Sequence, residues 1–303
     1  MLKHVKGLFA SLMTAGIVIF GAGAAMAFGH YVPGSLGINA GSMPPPGFHY
    51  TMYNTLYNAD TMTDSSGNDL DVGLDLTVFA NVNQFAYMTD IKILGADYGF
   101  DLFLPFVYTN FELTSAGVNE DTFGLGDICV DPLILGWHGK QWDFSFALGA
   151  YAPTGESGEF SSPGKGYWSV IETIGGTYFF DEARTWSITL LTRWLLNTED
   201  RDTNITPGAE MVAEYGLAKA FPLNNGGMVF YAGIVGYTYK QLTDDSGDGA
   251  TDDQYMGNAV GPEVRLMFFK PFPIQVSLRY NFEYGTENTT EGQNVCLSLI
   301  GSF

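Results

Sequence analysis

Apolar and polar residues alternate along most of the chain, most clearly between Ile274 and Tyr284. In this segment every second residue from Ile274 onward is aliphatic or aromatic, and each residue between them is polar or charged. A period of two predicts β-strands with one apolar and one polar face. The pattern predicts twelve strands, near residues 48–58, 71–88, 97–112, 124–137, 141–153, 167–180, 185–198, 207–220, 227–242, 257–269, 274–285 and 293–303.

The connections between these strands alternate between two kinds. Short links that contain or adjoin Lys or Arg are predicted near residues 90–96, 138–140, 181–184, 221–226 and 270–273. Longer and more acidic links are predicted near residues 59–70, 113–123, 155–166, 199–206, 243–256 and 286–292. Short turns at one rim and longer loops at the other are typical of outer-membrane barrels, which have an even number of strands.

We therefore predict an all-β fold, a transmembrane antiparallel up-and-down β-barrel of about twelve strands that spans residues 48–303. With an even number of strands both termini lie on the same side of the membrane, which we expect to be the periplasm. The acidic link at 243–256 is then extracellular, and the link at 270–273 is periplasmic. The expected location is the bacterial outer membrane.

The first 27 residues have the features of a secretory signal peptide. Lys3 and Lys6 precede an apolar stretch that ends on the small-residue pattern Ala25-Met26-Ala27. This arrangement predicts export and cleavage after Ala27. Residues 28–47 are expected to form an irregular periplasmic segment, because the run Pro44-Pro45-Pro46 prevents a strand from starting earlier.

Composition narrows the classes of function. The formal net charge of −20 argues against a nucleic-acid partner, because binding to phosphates requires clustered Lys and Arg. After the signal peptide, no run of about eighteen apolar residues remains that could form a spanning helix. A barrel whose strands alternate explains how a chain that is 15% aromatic with 38 glycines can also be strongly acidic.

Aromatic residues concentrate towards the ends of the predicted strands, where barrels carry aromatic girdles at the headgroup level. The last strand alternates in the same way and ends on Phe303. A terminal aromatic residue on such a strand resembles the assembly signal of outer-membrane proteins. The expected partners are therefore outer-membrane lipid, lipopolysaccharide and the barrel-assembly machinery, which would bind the C-terminal strand.

Few residues suggest a cofactor or a metal site. Cys129 and Cys296 are too few for a disulfide framework, and no His lies near either of them in the sequence. A single disulfide between them stays open, and we expect no cofactor and no metal centre. The acidic segment 243–256 is interpreted as a solvated loop, with a divalent-cation site as the alternative because hard cations bind clustered carboxylates.

An enzyme is the less favoured class of function. Some outer-membrane barrels modify lipids, and such chemistry needs a base beside a nucleophile. Three histidines follow the signal peptide, and the sequence alone pairs none of them with a serine: His30, His49 and His138.

The lumen is the expected functional surface. If the apolar set of each strand faces lipid, the opposite set faces inward. Arg193, Arg265 and Arg279 are then expected to pair with inward carboxylates, either to brace a filled lumen or to line a selective path. The candidate lumen residues are Asp75, Asp101, Asp127, Asp131, Glu172, Arg193, Glu210, Glu214, Glu263, Arg265, Arg279, Glu283, Phe79 and Phe103.

Several short blocks, in order along the chain, resemble the meta-pathway phenol-degradation family of outer-membrane β-barrel proteins. The resemblance implies a barrel that passes small hydrophobic or aromatic compounds across the outer membrane. A structural barrel with a plugged lumen is the alternative. The blocks that carry the resemblance are Gly124–Asp127, Leu135–Gly139, Tyr151–Gly155, Tyr167–Trp168, Asn197–Asp200, Gln241–Gly247 and Gly261–Glu263.

Overall fold

A computed structural model describes residues 29–303, and the predicted signal peptide lies outside the described residues. Within 29–303, twelve antiparallel strands form a barrel, and the last strand pairs with the first to close it. The strands are β1 (Gly47–Thr63), β2 (Leu74–Ile93), β3 (Ala96–Leu113), β4 (Val118–Leu125 and Ile128–His138), β5 (Trp142–Ala152), β6 (Ser169–Phe179), β7 (Trp186–Asn197), β8 (Glu210–Leu223), β9 (Met228–Gln241), β10 (Met256–Phe268), β11 (Ile274–Glu287) and β12 (Thr290–Ser302).

The predicted twelve-stranded barrel is confirmed. Strand β4 is interrupted at Gly126 and Asp127, but both of its parts pair with β3. A two-residue strand, Asp69–Leu70, pairs with the end of β1. No helix among residues 29–303 is long and apolar enough to cross a membrane.

Three of the predicted long links are instead largely strand. The prediction of a loop at 286–292 is wrong, because only Asn288 and Thr289 separate β11 from β12. The predicted loops at 59–70 and 113–123 are shortened in the same way, since β1 ends at Thr63 and β4 begins at Val118. Strands β1 and β2 have 17 and 20 residues, whereas about 9–11 suffice to cross a bilayer. These hairpins continue beyond the membrane, where paired backbone groups tolerate polar side chains on both faces.

The outer surface is apolar over most of the strands. Aliphatic side chains such as Leu190, Ile234 and Leu278 point outward and are exposed. Trp142 and Trp168 are also exposed and lie near strand ends, at opposite rims of the barrel. This distribution places apolar side chains towards lipid and amphipathic rings at the two interfaces.

Strand β2 reverses the orientation that its sequence pattern suggests. Asp75 and Phe79 were predicted to face the lumen, but both are exposed on the outer face. Most inward residues of β2 are instead small or aliphatic, and Gln84 is the polar exception. The apolar ones are Leu76, Val78, Ala80, Val82, Ala86 and Met88. The inner wall of the barrel is therefore mainly apolar at this strand.

The outer face of β1 and β2 carries amides that bond to one another. Asn81 Nδ2 donates to Asn54 Oδ1 at 2.8 Å, and Asn83 Nδ2 donates to Asn81 Oδ1 at 2.7 Å. Asn58 Nδ2 donates to the hydroxyl of Thr77 at 2.7 Å. These bonds reduce the cost of turning polar side chains away from the lumen.

Glu172 also faces outward, contrary to the prediction. On β6 the buried inward positions are Ser169, Ile171 and Thr173, so Glu172 has the opposite parity. It lies in register with the exposed Leu148 on β5 and Trp194 on β7.

The segment before β1 lies inside the barrel. The sequence analysis predicted that this segment is periplasmic, and that prediction is wrong. Residues 30–42 form hydrogen bonds with inward-facing residues of at least six strands. The physical reason is that this segment has no ladder of its own, whereas the lumen offers charged and hydroxyl partners. We refer to residues 29–46 as the N-terminal segment.

The orientation of the barrel is tested by cysteine labelling of intact cells. We expect a membrane-impermeant maleimide to modify Ser246→Cys, which lies in the connection between β9 and β10. The same reagent should reach Pro271→Cys, in the turn between β10 and β11, only after the outer membrane is permeabilised. Native Cys129 and Cys296 are free but buried, so the unsubstituted protein is the labelling control. The reverse pattern would contradict the topology.

Candidate functional site

The lumen holds the N-terminal segment through its backbone groups. The Leu36 amide donates to Glu214 Oε2 at 3.0 Å, and the Ile38 amide donates to Glu263 Oε2 at 2.9 Å. These interactions satisfy backbone groups of an irregular segment that would otherwise be buried without partners.

Two arginines bind carbonyl groups of the same segment. Arg279 Nη1 donates to Gly34 O at 3.2 Å and also to Ser35 O. Arg265 Nη2 donates to Ile38 O at 2.8 Å. Both arginines also pair with Glu263, at 3.2 Å for Arg279 Nε and 2.9 Å for Arg265 Nη2. Glu263 therefore neutralises two guanidinium groups while it accepts a backbone amide.

Arg193 binds the segment through an aromatic ring. Its guanidinium carbon lies 4.1 Å from the centre of the Tyr31 ring, a cation–π arrangement. The Tyr31 hydroxyl donates to Glu214, whose Oε1 lies 4.0 Å from Arg193 Nη1. Arg193, Tyr31 and Glu214 thus form one connected group in the middle of the lumen.

Glycines allow the segment to lie close to the wall. A Cβ atom at Gly37 would stand 1.8 Å from Glu263 Oε2, and one at Gly41 would stand 2.3 Å from the backbone nitrogen of Gly176. Any larger residue at these positions would displace the segment from its partners.

One end of the segment is fixed by His30. Its Nδ1 lies 2.7 Å from Ser169 Oγ, its Nε2 lies 2.9 Å from Asp127 Oδ2, and its ring stacks on Tyr151. The residue types are those of a serine hydrolase triad, but Ser169 is fully buried and its hydroxyl donates to Asn197. The serine is therefore neither accessible to substrate nor activated by His30, and the group acts as an anchor.

The other end is fixed near the turn rim of the barrel. Ser42 Oγ donates to Asp143 Oδ2 at 2.8 Å. Asp143 also accepts from Arg184 Nη2 and lies 3.1 Å from His138 Nδ1. Met43 packs on Met88 and its neighbours, which form a small apolar cluster beside this ion pair.

Two further carboxylates are bound by tyrosine hydroxyls. Glu283 accepts from Tyr57 at 2.7 Å and from Tyr237 at 3.1 Å. Glu210 accepts from Asn197 Nδ2 at 3.0 Å and interacts with Tyr255, a residue of the loop that follows β9. Burial, and after it the charge of Glu210, raises the pKa of Tyr255 well above its ordinary value, so its hydroxyl stays protonated as a donor.

A cavity of about 530 Å³ remains between the N-terminal segment and the opposite wall. Strands β2 and β3 supply most of that wall, and its residues are mainly apolar. They include Leu76, Val78, Ala80, Val82, Phe103, Pro105 and Val107. The lumen is thus divided into a polar half that binds the segment and an apolar half that stays open.

The structure places most of the predicted residues in the lumen and three outside it. The exceptions are Asp75, Phe79 and Glu172, as described above. The residues that face inward are Asp101, Asp127, Asp131, Arg193, Glu210, Glu214, Glu263, Arg265, Arg279, Glu283 and Phe103.

The sequence analysis did not predict that the N-terminal segment lies in the lumen, and it did not predict the apolar wall. A signal for the segment was present, since residues 31–47 contain no Lys, Arg, Asp or Glu. A segment in water rarely lacks charge over such a length in so acidic a chain. Among residues 29–303, no group of three or more His, Cys, Asp or Glu side chains is placed to hold a metal ion.

A comparison with models of known families identifies the family of this barrel. Residues 59–299 match the model of the family described as "Putative MetA-pathway of phenol degradation". The chain belongs to this family. A comparison with curated proteins found no match.

Solved structures similar to this member of the phenol-degradation family include an outer membrane channel and an autotransporter β domain. The COG4313 outer membrane channel from Pseudomonas putida F1 is 15% identical, with a TM-score of 0.74, over 90% of this chain and 100% of that chain. The β domain of the Bordetella autotransporter BrkA is 10% identical, with a TM-score of 0.54, over 86% of this chain and 100% of that chain. The protein has the β-barrel fold of these structures.

Replacement of Arg279 tests how strongly the lumen holds the segment. We expect Arg279→Ala to lower the thermal stability of the folded barrel and to raise its single-channel conductance. The change removes one of the two guanidinium partners of Glu263 and the Arg279 donor to two carbonyls of the segment, and breaking a buried ion pair costs about 3–5 kcal/mol. Heat-modifiable mobility on gels and planar-bilayer recording measure the two effects.

Gln275→Ala is the matched control for this variant, because Gln275 faces the lumen from the same strand. Its side chain has one long contact, at 3.4 Å, with Arg265. If Arg279→Ala behaves like Gln275→Ala in both measurements, the ion pair does not hold the segment.

Proposed function

We propose that this barrel passes small hydrophobic or aromatic compounds across the outer membrane. The observation that carries the proposal is the apolar cavity between the N-terminal segment and the wall formed by β2 and β3. Its volume of about 530 Å³ lies within the range of small-molecule sites, roughly 300–1,000 Å³. An apolar wall favours cargo that loses little hydration on entry.

The comparisons support the same class of function. The family description refers to phenol degradation, and the Pseudomonas putida protein is described as an outer membrane channel. Aromatic compounds of this kind combine an apolar ring with few polar groups, which matches a cavity that is mainly apolar.

A structural barrel with a plugged lumen is the second candidate. The hydrogen bonds that the N-terminal segment forms with Glu214, Glu263, Arg265 and Arg279 favour this candidate, because the segment then occupies the polar half of the lumen. The two candidates differ in whether the apolar half conducts cargo.

We infer that the protein is not an enzyme. The group in which a histidine contacts both a serine and an aspartate is the His30 anchor, whose serine is buried and bonded to Asn197. An outer-membrane lipid-modifying activity would need a nucleophile that substrate can reach.

We further propose export with cleavage after Ala27 and assembly through the C-terminal strand. Phe303 pairs with Phe48 through two backbone hydrogen bonds, of 2.8 and 3.1 Å, at the seam where β1 meets the end of the chain. The barrel-assembly machinery would bind this strand before the seam closes. Outer-membrane lipid and lipopolysaccharide would surround the apolar outer face.

A bulky residue on the apolar wall should block the path. Ala80 is buried, faces the cavity and lies in the middle of β2. We expect Ala80→Phe to reduce uptake of a labelled aromatic hydrocarbon by cells several-fold, because the added ring fills the open half of the lumen. Uptake is measured at a low external concentration of the hydrocarbon, because lipopolysaccharide slows the direct diffusion of the hydrocarbon through the outer membrane.

The matched control is Ala250→Phe, which adds the same side chain to the loop between β9 and β10. Uptake should be unchanged in this variant. If cells that contain the native protein take up no more hydrocarbon than cells without the barrel, the channel proposal is wrong and the protein is a structural barrel with a plugged lumen.

A further inference from the structure

The loop between β5 and β6 turns into the barrel at the rim that lies opposite the short turns. It comprises residues 153–168, and we refer to it as the rim loop. Four of its residues line the cavity: Phe160, Ser162, Pro163 and Lys165. The rim loop therefore forms part of the boundary of the open half of the lumen.

Phe160 of the rim loop packs on the apolar wall of the cavity. The centre of its ring lies 5.2 Å from the ring centre of Phe111 on β3, with the two planes 30° apart. Phe111 belongs to a buried cluster with Leu76, and both Phe160 and Val78 pack against this cluster. Leu76 lies near the start of β2, so the ring of Phe160 covers the rim end of the wall and narrows the mouth of the apolar half.

One carboxylate binds both ends of the rim loop. Asp127 Oδ1 accepts the Gly155 amide at 2.9 Å, and Asp127 Oδ2 accepts the Lys165 amide at 2.7 Å. His30 Nε2 of the N-terminal segment lies 2.9 Å from the same Oδ2. Hydrogen bonds to an ionised acceptor are stronger than those between neutral groups. Asp127 thus fixes the rim loop and one end of the N-terminal segment at a single point.

Two of the short blocks that resemble the phenol-degradation family meet at this point. The block 124–127 contains the interruption of β4, and the block 151–155 begins the rim loop. The Thr154 hydroxyl donates to Gly126 O at 3.0 Å and accepts from the Ile128 amide at 3.0 Å. The rim loop therefore supplies hydrogen-bond partners to backbone groups of β4 where its ladder is interrupted.

The middle of the rim loop is also held on β4. The Ser161 and Thr122 hydroxyl oxygens lie 2.7 Å apart, and Ser161 is buried. Pro163 lies directly over Gly124, where an added Cβ would stand 3.0 Å from Pro163 Cγ. The loop is thus fixed at both ends and in the middle, and its cavity-lining side chains have a defined position.

We propose that the rim loop is a size filter for cargo, in which Phe160 and Pro163 limit the width of the mouth and Asp127 is the positioning residue. The inference rests on the proposed function and concerns the specificity of the same path. A ring packed on Phe111 moves aside only by losing its dispersion contacts, so a molecule wider than the mouth is excluded.

The substitution Phe160→Ala tests the filter itself. Removal of the ring widens the mouth, so we expect cells to take up labelled phenanthrene, which has three fused rings, several-fold faster relative to labelled toluene. The ratio of the two uptake rates is the measured quantity, because it does not depend on the amount of barrel in the membrane. The matched control is Phe123→Ala, since Phe123 is 67% exposed on the outer face of β4, and its ratio should equal the native one.

The substitution Asp127→Asn tests the positioning residue. An amide has a single acceptor oxygen, so it cannot accept from both Gly155 and Lys165 in the way that the two carboxylate oxygens do. The freed loop should raise the ratio of phenanthrene to toluene uptake, as Phe160→Ala does. Heat-modifiable mobility on gels verifies that each variant folds.

A disulfide provides a rescue that a general loss of stability would not show. Thr122→Cys and Ser161→Cys, added to Asp127→Asn, bring two thiols together where the hydroxyls now touch. Oxidation by copper phenanthroline should tie the rim loop to β4 and return the uptake ratio to the native value, and dithiothreitol should raise the ratio again. Asp127→Asn without the added cysteines is the control, because native Cys129 and Cys296 are buried.

The outcomes separate this inference from the proposed function. An unchanged ratio in Phe160→Ala, with uptake that Ala80→Phe still blocks, overturns the filter and leaves the channel in place. Added cysteines that form no disulfide also overturn it, because the rim loop then does not lie on β4. A ratio that Asp127→Asn leaves unchanged, or that the disulfide does not restore, overturns the role of Asp127. Native uptake no greater than in cells without the barrel overturns both proposals.

Discussion

The organisation of this barrel depends on one requirement, that an irregular segment inside a closed sheet must find hydrogen-bond partners. The strands satisfy their own backbone groups through the ladder, and the N-terminal segment has no ladder. Glu214 and Glu263 accept its amides, while Arg265 and Arg279 donate to its carbonyls. Charged residues that in a wide pore would contact water here contact protein.

This arrangement divides the lumen according to polarity. The strands that bind the segment carry charged and hydroxyl side chains on their inner faces, such as Glu263 and Arg279. Strand β2, whose Met88 packs against Met43 of the segment, carries mainly apolar inward residues such as Val78 and Ala80. The open space is mainly apolar because many of the polar partners are already used by the segment. The cavity and the segment are therefore two consequences of one distribution of side chains.

The outer face of the barrel compensates for the apolar wall. Because β2 turns its aliphatic residues inward, Asn81 and Asn83, which have the opposite parity, turn outward towards lipid. Asn81 and Asn83 bond to each other, and Asn81 also bonds to Asn54 on β1. The amides thus satisfy much of their hydrogen-bonding capacity within the sheet.

The sequence by itself determined the number of strands, the alternation of faces and the inward direction of Arg193, Arg265 and Arg279. Bulky apolar neighbours such as Trp194 and Leu278 face lipid, so the guanidinium groups that alternate with them face the lumen, where a charge costs less free energy. The local pattern therefore suffices at these positions. Only the tertiary structure decided the direction of β2, because Phe79 alternates with Val78 and Ala80 and both faces mix apolar and polar residues. It also placed the N-terminal segment, since its partners lie 178 residues away for Leu36 and Glu214 and 225 for Ile38 and Glu263. A local pattern records which face of a strand is apolar, whereas contacts over such separations exist only once the barrel has closed around the segment.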